Sequence, residues 1–207
     1  MTRQRRRVRR AYDSMAARYR DARSENFREV DLLDDLGVRL RPGARILDAG
    51  CGSGTPGLRR ADGGRGVVGL DFSREQLRLA RDAAPGAALA QGDVTALPFG
   101  DGAFDAVCAF HSVIHVPTDE HPAVLREFAR ALRSGGWLLF STGEGAWEGS
   151  NPDWLGGGVE MRWSFPGLDA TLDALSEAGF AVETRRIVED ELGDDGGAFT
   201  FVLARPE

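Results

Sequence analysis

The sequence predicts an α/β fold, a doubly wound and mostly parallel sheet in a single domain. Three observations carry that reading. Strand-like and helix-like patterns alternate from residue 45 to residue 142, the signature of a parallel sheet covered on both faces. The buried run Ile46-Leu47-Asp48-Ala49 is followed at once by glycines 50, 52 and 54, a strand, a tight turn and a helix start in the space of a dozen residues. The length of 207 residues and a 42% hydrophobic share give one domain an ample core.

The elements follow in order. Residues 4 to 20 read as a helix, because Tyr12, Met15, Ala16 and Tyr19 recur at i, i+3, i+4 and i+7 on one face. A second helix spans 25 to 40 and ends before Pro42-Gly43. Strands are expected near 45–49, 66–70, 87–90, 105–110 and 136–142, with helices near 55–61, 73–83 and 119–133. Thr55 is placed as the cap of the first of these helices and Pro56 in its first turn. Residues 171 to 178 form a helix stopped by Gly179. Phe180–Val188 and Ala198–Ala204 are two final strands joined by the acidic turn Asp194-Asp195-Gly196-Gly197, which brings the strand count to seven. Residues 143 to 166 fit neither period. They hold three of the four tryptophans (147, 154 and 163) among six glycines, and a loop of this length is expected to be functional.

Composition narrows the function. No apolar run approaches the roughly 20 residues of a membrane helix, and the basic start leads into Ala11-Tyr12-Asp13 rather than into the apolar core of a leader. A cytoplasmic location is the expectation. Cys51 and Cys108 match neither a disulfide framework nor a zinc spacing, and no metal is expected. Every lysine-type cation is arginine. Residues 1 to 10 hold six arginines and no acid, leaving 20 arginines against 32 acids in the rest, a net charge of −12. An acidic body is a poor platform for a phosphate backbone, so nucleic acid is an unlikely partner. The arginine run itself reads as a solvated helix start, and Glu189-Asp190-Glu191 as a solvated acidic turn.

The glycine turn can be framed in two ways. Gly52, Gly54 and Gly57 match the G-x-G-x-x-G dinucleotide fingerprint, which makes a nicotinamide-linked oxidoreductase one alternative. That frame wants the strand to run straight into its first glycine, and here Gly50 and Cys51 intervene. The other frame, Asp48-x-Gly50-x-Gly52-x-Gly54, resembles the first motif of the class I S-adenosylmethionine (SAM)-dependent methyltransferases. Gly66-Val67-Val68-Gly69-Leu70-Asp71 ends a second strand in a carboxylate able to accept both hydroxyls of a ribose. Gly92-Asp93-x-x-x-Leu97-Pro98-Phe99 followed by Phe104-Asp105-x-Val107, and Leu132-Arg133-Ser134-Gly135-Gly136 before an apolar run, are similar to later motifs of the same family. These four ordered motifs span residues 46 to 140.

The resemblance, which is to the ubiquinone/menaquinone-biosynthesis-like branch, implies a Rossmann-like sheet with an antiparallel last strand and methylation of a small organic acceptor at oxygen, nitrogen or carbon. It implies a division into an N-terminal helical cap (1–40), a SAM-binding core (41–142), an acceptor-side lid (143–166) and a C-terminal helix and strand pair (167–207). Tyr12, Tyr19, Asp48, Gly50, Cys51, Gly52, Asp71, Phe72, Asp93, Val94 and Phe110 are the expected cofactor residues. Asp93 would accept the adenine amino group and the Val94 amide would donate to a ring nitrogen. Trp147 and Trp163 are the expected acceptor contacts, on a glycine-hinged lid that excludes water. His111 and His115, just past the fourth strand, are candidate bases, because imidazole titrates near neutrality; His121 is placed at the surface. The expected state is a monomer or homodimer. A SAM-binding subunit without catalysis is the second alternative.

Overall fold

The computed structural model describes residues 1–23, 30–54, 57–60, 66–190, 192 and 197–207, without the side chains of 59 and 60. Thr55, Pro56, residues 25–29 of the expected second helix, residue 61 with the glycine turn that follows it, Glu191 and Asp194-Asp195-Gly196 lie outside the described residues.

The alternation becomes a seven-stranded sheet. In chain order its strands are β1 (Arg45–Ala49), β2 (Gly66–Asp71), β3 (Ala88–Gln91), β4 (Phe104–Ala109), β5 (Leu132–Gly143), β8 (Phe180–Glu189) and β9 (Ala198–Pro206). The spatial order is β3-β2-β1-β4-β5-β9-β8. The first five pair in parallel, whereas β9 runs antiparallel between β5 and β8. The order reverses between β1 and β4, and open α/β sheets bind ligands at the carboxyl ends of strands at such a switch point. Helices α1 (Arg3–Ala22), α2 (Val30–Gly37), α3 (Gly57–Arg60), α4 (Arg74–Ala83), α5 (His121–Ala131) and α6 (Leu168–Glu177) surround the sheet.

Three expectations change. The segment 143–166 is not an irregular loop. Strands β6 (Ala146–Asn151) and β7 (Met161–Pro166) form an antiparallel hairpin that stands apart from the main sheet. Glycines hid its period: Gly149 lies opposite Trp163, and a Cβ on Gly149 would come 2.4 Å from the Trp147 indole, so the glycine makes room for that ring. The expected helix 119–133 is a short 3-10 turn, Thr118–Glu120, and then α5, because β5 already begins at Leu132. His121 is buried, not at the surface, with Nε2 2.9 Å from the Val116 carbonyl. Its place at the start of α5, beside Pro122, turns the ring inward where the sequence pattern alone gave no direction.

The main core lies between the sheet and α5 and α6, built on Leu47, Leu70, Phe104, Val107, Phe128, Leu138 and Val202. On the other face Leu32 and Leu36 of α2 pack with Ile46, Leu139 and Phe201. Asp105 sits buried at the start of β4, where it accepts hydrogen bonds from the Arg45 amide (2.8 Å), Arg41 (3.0 Å) and Arg133 (2.5 Å). Despite the cost of burial, those donors hold its carboxyl below the usual range. α1 lies across the carboxyl ends of the strands and is tied on both sides. Asp13 caps α4, accepting from Ser73 Oγ (2.7 Å) and the Arg74 amide (2.9 Å). Arg5 reaches the far side.

Candidate cofactor groove and acceptor cavity

The glycine loop after β1 makes the floor of a groove. Gly50 has φ +90°, and a Cβ there would collide with Ser112 Cβ at 2.2 Å, so glycine is needed for both conformation and space. A Cβ on Gly52 would meet nothing nearer than 3.9 Å, which leaves its backbone open to the groove. Asp71, at the tip of β2, accepts from the Gly52 amide (2.9 Å) through Oδ2 and from the Ser73 amide (2.8 Å) through Oδ1. Each oxygen retains a lone pair for a ligand. Burial raises its pKa to about 6, with the Ser73 and Gly52 amides opposing the rise.

Of the expected cofactor residues, Tyr12, Tyr19, Gly50, Gly52, Asp71, Phe72, Asp93, Val94 and Phe110 line this groove, and His111 and His115 close one end. Asp48 and Cys51 do not. The Asp48 carboxylate turns to the opposite side of the loop, among residues of α2 and β1, where a Cβ on Gly57 would strike it at 2.2 Å. Burial and the nearby Asp71 raise its pKa to about 7. The Cys51 side chain packs under α4 with Leu58, Val67, Leu77 and Ala80, and burial pushes its thiol up.

Arg5, Gln76, Gly92, Ser112 and Val116 complete the lining and were missed. Arg5 belongs to the arginine run read as solvated, yet it is 6% exposed. Its guanidinium pairs with Asp93, bonds Thr95 Oγ1 (2.6 Å) and pairs with Glu120 (2.7 Å). The Asp93 carboxylate is thus shared with Arg5 and Thr95, and Arg5 latches α1 over the groove. Arg5 falls one turn before Val8 on the buried face of α1, a periodicity that could have singled it out among the arginines. With α1 in place about 60 Å³ remains free between these residues.

The groove fits an adenosyl ligand in chemistry. Gln76 is 1% exposed, faces the groove, and has no hydrogen-bond partner for either side-chain atom among the described residues. A buried amide left this way calls for a polar ligand. Asp71 offers ribose acceptors, and the Gly52 backbone permits close approach.

Beyond the histidines lies a larger cavity of about 710 Å³, walled by the β6–β7 hairpin. Trp147, Trp154 and Trp163 all line it, with Phe165 and Phe199. Tyr12, His111 and His115 line both spaces. The two histidines differ. His115 Nδ1 lies 2.8 Å from the Arg162 carbonyl, so that nitrogen carries the proton, and Nε2 accepts from the Tyr12 hydroxyl at 2.8 Å. Burial lowers its pKa to about 4, leaving it neutral with both nitrogens engaged. His111 has φ +51°, an uncommon conformation for a non-glycine residue, held by the hydrogen bond its backbone N–H donates to Ser141 Oγ (2.7 Å) and by ring contact with Phe199 at 4.6 Å.

Comparison with known proteins agrees with this geometry. A methyltransferase-domain family matches residues 46–136, from β1 into β5. A demethylmenaquinone methyltransferase from Beutenbergia cavernae is 40% identical over 124 residues, 59% of this chain and 47% of the relative. A malonyl-[acyl-carrier protein] O-methyltransferase from Erwinia pyrifoliae is 40% identical over 133 residues, 61% of this chain and 50% of the relative. The chain thus spans about half the length of the curated relatives it matches. Magnesium protoporphyrin IX methyltransferase from Synechocystis PCC 6803, solved with bound SAM, shares the fold with a TM-score of 0.75 at 19% identity, over 100% of this chain and 99% of that one. The Asp48 glycine frame, the switch-point groove with Asp71 at its edge, and these likenesses identify residues 46–136 as a methyltransferase domain, set in a Rossmann-like fold.

Proposed function

We propose that the protein transfers a methyl group from SAM to a small organic acceptor held in the aromatic cavity. The observation that supports this most is the junction: one space suited to an adenosyl ligand meets one suited to an organic molecule, and Tyr12, His111 and His115 line both. Asp71 would accept the ribose hydroxyls, and Gly50 and Gly52 would admit the cofactor against their backbone. Asp93 and the Val94 amide would address the adenine, with Arg5 holding Asp93 in place.

When bound, the cofactor would supply an electrophilic methyl group on a sulfonium sulfur, for displacement by the acceptor nucleophile with a thioether as the leaving group. The leaving group is neutral and needs no acid, so alignment carries much of the rate. His111 is the base we assign where the acceptor arrives protonated: it takes the proton from the attacking atom and releases it to solvent. His115, engaged at both nitrogens, orients Tyr12 and ties the hairpin to α1 rather than moving a proton. Trp147 and Trp163 contact the acceptor, and residues 143–166 act as the acceptor-side cover.

Calorimetric titration with S-adenosylhomocysteine and, separately, NAD, followed by methyl transfer to a panel of small phenols, amines and acids, tests the reading. We expect the former ligand to bind, NAD not to bind, and at least one acceptor to be methylated with turnover reduced in His111→Ala. NAD binding instead overturns the cofactor assignment. Binding of S-adenosylhomocysteine with no transfer across a broad panel favours a SAM-binding subunit without catalysis.

A further inference from the structure

We infer that the cavity between α2 and the sheet, on the opposite side of the glycine loop from the cofactor groove, is a separate site for a small aliphatic molecule bearing an ammonium group. The inference rests on that cavity and on Asp48, and does not depend on the methyltransferase reading.

The row of side chains that β1 sends under α2 is one where apolar residues belong. Alternate residues of a strand share a face, and Ile46 packs there with Leu32 and Leu36 of α2 and with Cys108 of β4. Asp48 is the next residue of that row, level with Cys108 in the sheet register. It is 8% exposed, and its carboxylate accepts no hydrogen bond and meets no cation among the described residues. Taking a carboxylate out of water without a partner is costly, and a valine or leucine at this place would pack without that cost. A pKa of about 7 leaves much of the group ionised just above neutrality, where it can pair with a cation.

What faces the carboxylate is space. A cavity of about 320 Å³ opens there, walled by Leu33, Leu36, Leu40, Ile46 and Val67. Ligand pockets run from about 300 to 1,000 Å³, so this one suits a small molecule. Val38 also lines it and is 83% exposed, which gives the cavity an open side. The described lining holds Asp48 and Asp34 as carboxylates and no basic or aromatic side chain. Cys108 lines it too, with burial pushing its thiol up, so it stays protonated. Aliphatic walls ask for an alkyl body, and Asp48 asks for a donor. An ammonium supplies charge-assisted hydrogen bonds, roughly twice as strong as neutral ones. An organic acid would meet Asp48 with no compensating cation in the described lining. No described residue lines both this cavity and the groove, so the two spaces can be filled together.

The test is calorimetric titration of the full chain at pH 8, free and saturated with S-adenosylhomocysteine, using n-hexylamine, 1-hexanol and hexanoate. Hexylamine should bind saturably, one per chain, in both samples. Hexanol should bind about tenfold more weakly, the scale that separates a charged from a neutral hydrogen bond, and hexanoate should not bind. Asp48→Asn, which keeps the side chain's shape, should bind the amine no better than the alcohol while its affinity for S-adenosylhomocysteine stays that of the parent. Leu33→Trp, which fills the cavity from α2, should lose the amine and serves as the second variant should Asp48→Asn not fold. Absence of saturable amine binding, hexanol binding as tightly as the amine, or an amine preference that survives Asp48→Asn each overturns the inference. So does displacement of the amine by S-adenosylhomocysteine, or a parallel loss of both ligands in Asp48→Asn, since either would return Asp48 to the cofactor site. Failure of S-adenosylhomocysteine to bind, with the amine ranking intact, removes the methyltransferase reading and supports this one.

Discussion

The candidate cofactor groove and the candidate acceptor cavity touch at Tyr12, His111 and His115, yet they are built by different means. The groove is made from backbone: glycines that admit no side chain, amides that fix Asp71, and a helix latched over the top. The cavity is made from side chains on a two-stranded hairpin that shares no ladder with the main sheet. A backbone site is specified by a few residues whose replacement is sterically forbidden. A side-chain site tolerates exchange and so is free to change its ligand while the chemistry next door stays the same.

The largest contrast should come from Gly50→Ala. The new Cβ would lie 2.2 Å from Ser112 Cβ, in a backbone conformation with φ +90°, and we expect binding of S-adenosylhomocysteine to be lost in calorimetry. No single alanine replacement in the hairpin should do this, and one that did would break the distinction. Asp71→Asn comes next, weakening the same ligand by about ten- to a hundredfold, in line with the value of hydrogen bonds to a charged group. The ionised carboxylate accepts better, so wild-type affinity should fall as pH drops through about 6, and the asparagine variant should show a flatter profile between pH 5 and 8.

Arg5→Ala should speed ligand release several-fold in stopped-flow, by freeing the end of α1, and Arg5→Lys should recover only part of the effect because lysine cannot span Asp93, Thr95 and Glu120 together. Trp147→Ala should sharpen the comparison from the other side: the KM of a turned-over acceptor should rise by several-fold, since the ring is half exposed, with cofactor affinity unchanged. A change in both would mean that the two spaces are one site.

The smallest effect concerns the junction. His115 has its pKa depressed to about 4, so the unfolded chain binds a proton that the folded chain refuses between there and its ordinary value. The stability it contributes is complete above about pH 6.5 and is lost as pH falls through about 4. Thermal melts at pH 7 and pH 5 should show a smaller loss in His115→Gln than in the parent protein. An equal loss would remove His115 as the group responsible.

How much of this was legible follows the same division. Glycines 50, 52 and 54 and the strand-tip Asp71 announced the groove, because φ above zero and a carboxylate after an apolar run are local facts. The same locality misled at Asp48 and Cys51. They belong to the motif, yet the Asp48 carboxylate turns toward α2 and the Cys51 side chain packs under α4, so neither side chain faces the groove. Arg5 was hidden in a run of six arginines, since composition does not say which cation turns inward. The hairpin was hidden by its glycines, which weaken a strand signal while making space for Trp147.

The sequence by itself determined the alternation of strands and helices, the glycine turn with its following acids, and the methyltransferase-domain likeness of residues 46–136, because each depends on residues close together in the chain. Tertiary structure alone decided that Arg5 meets Asp93 and Glu120, that His115 is locked between Tyr12 and the Arg162 carbonyl, and that five aromatic rings from the hairpin and β9 enclose one cavity. Those contacts join residues up to about a hundred positions apart, and their formation depends on chain packing that no local pattern records.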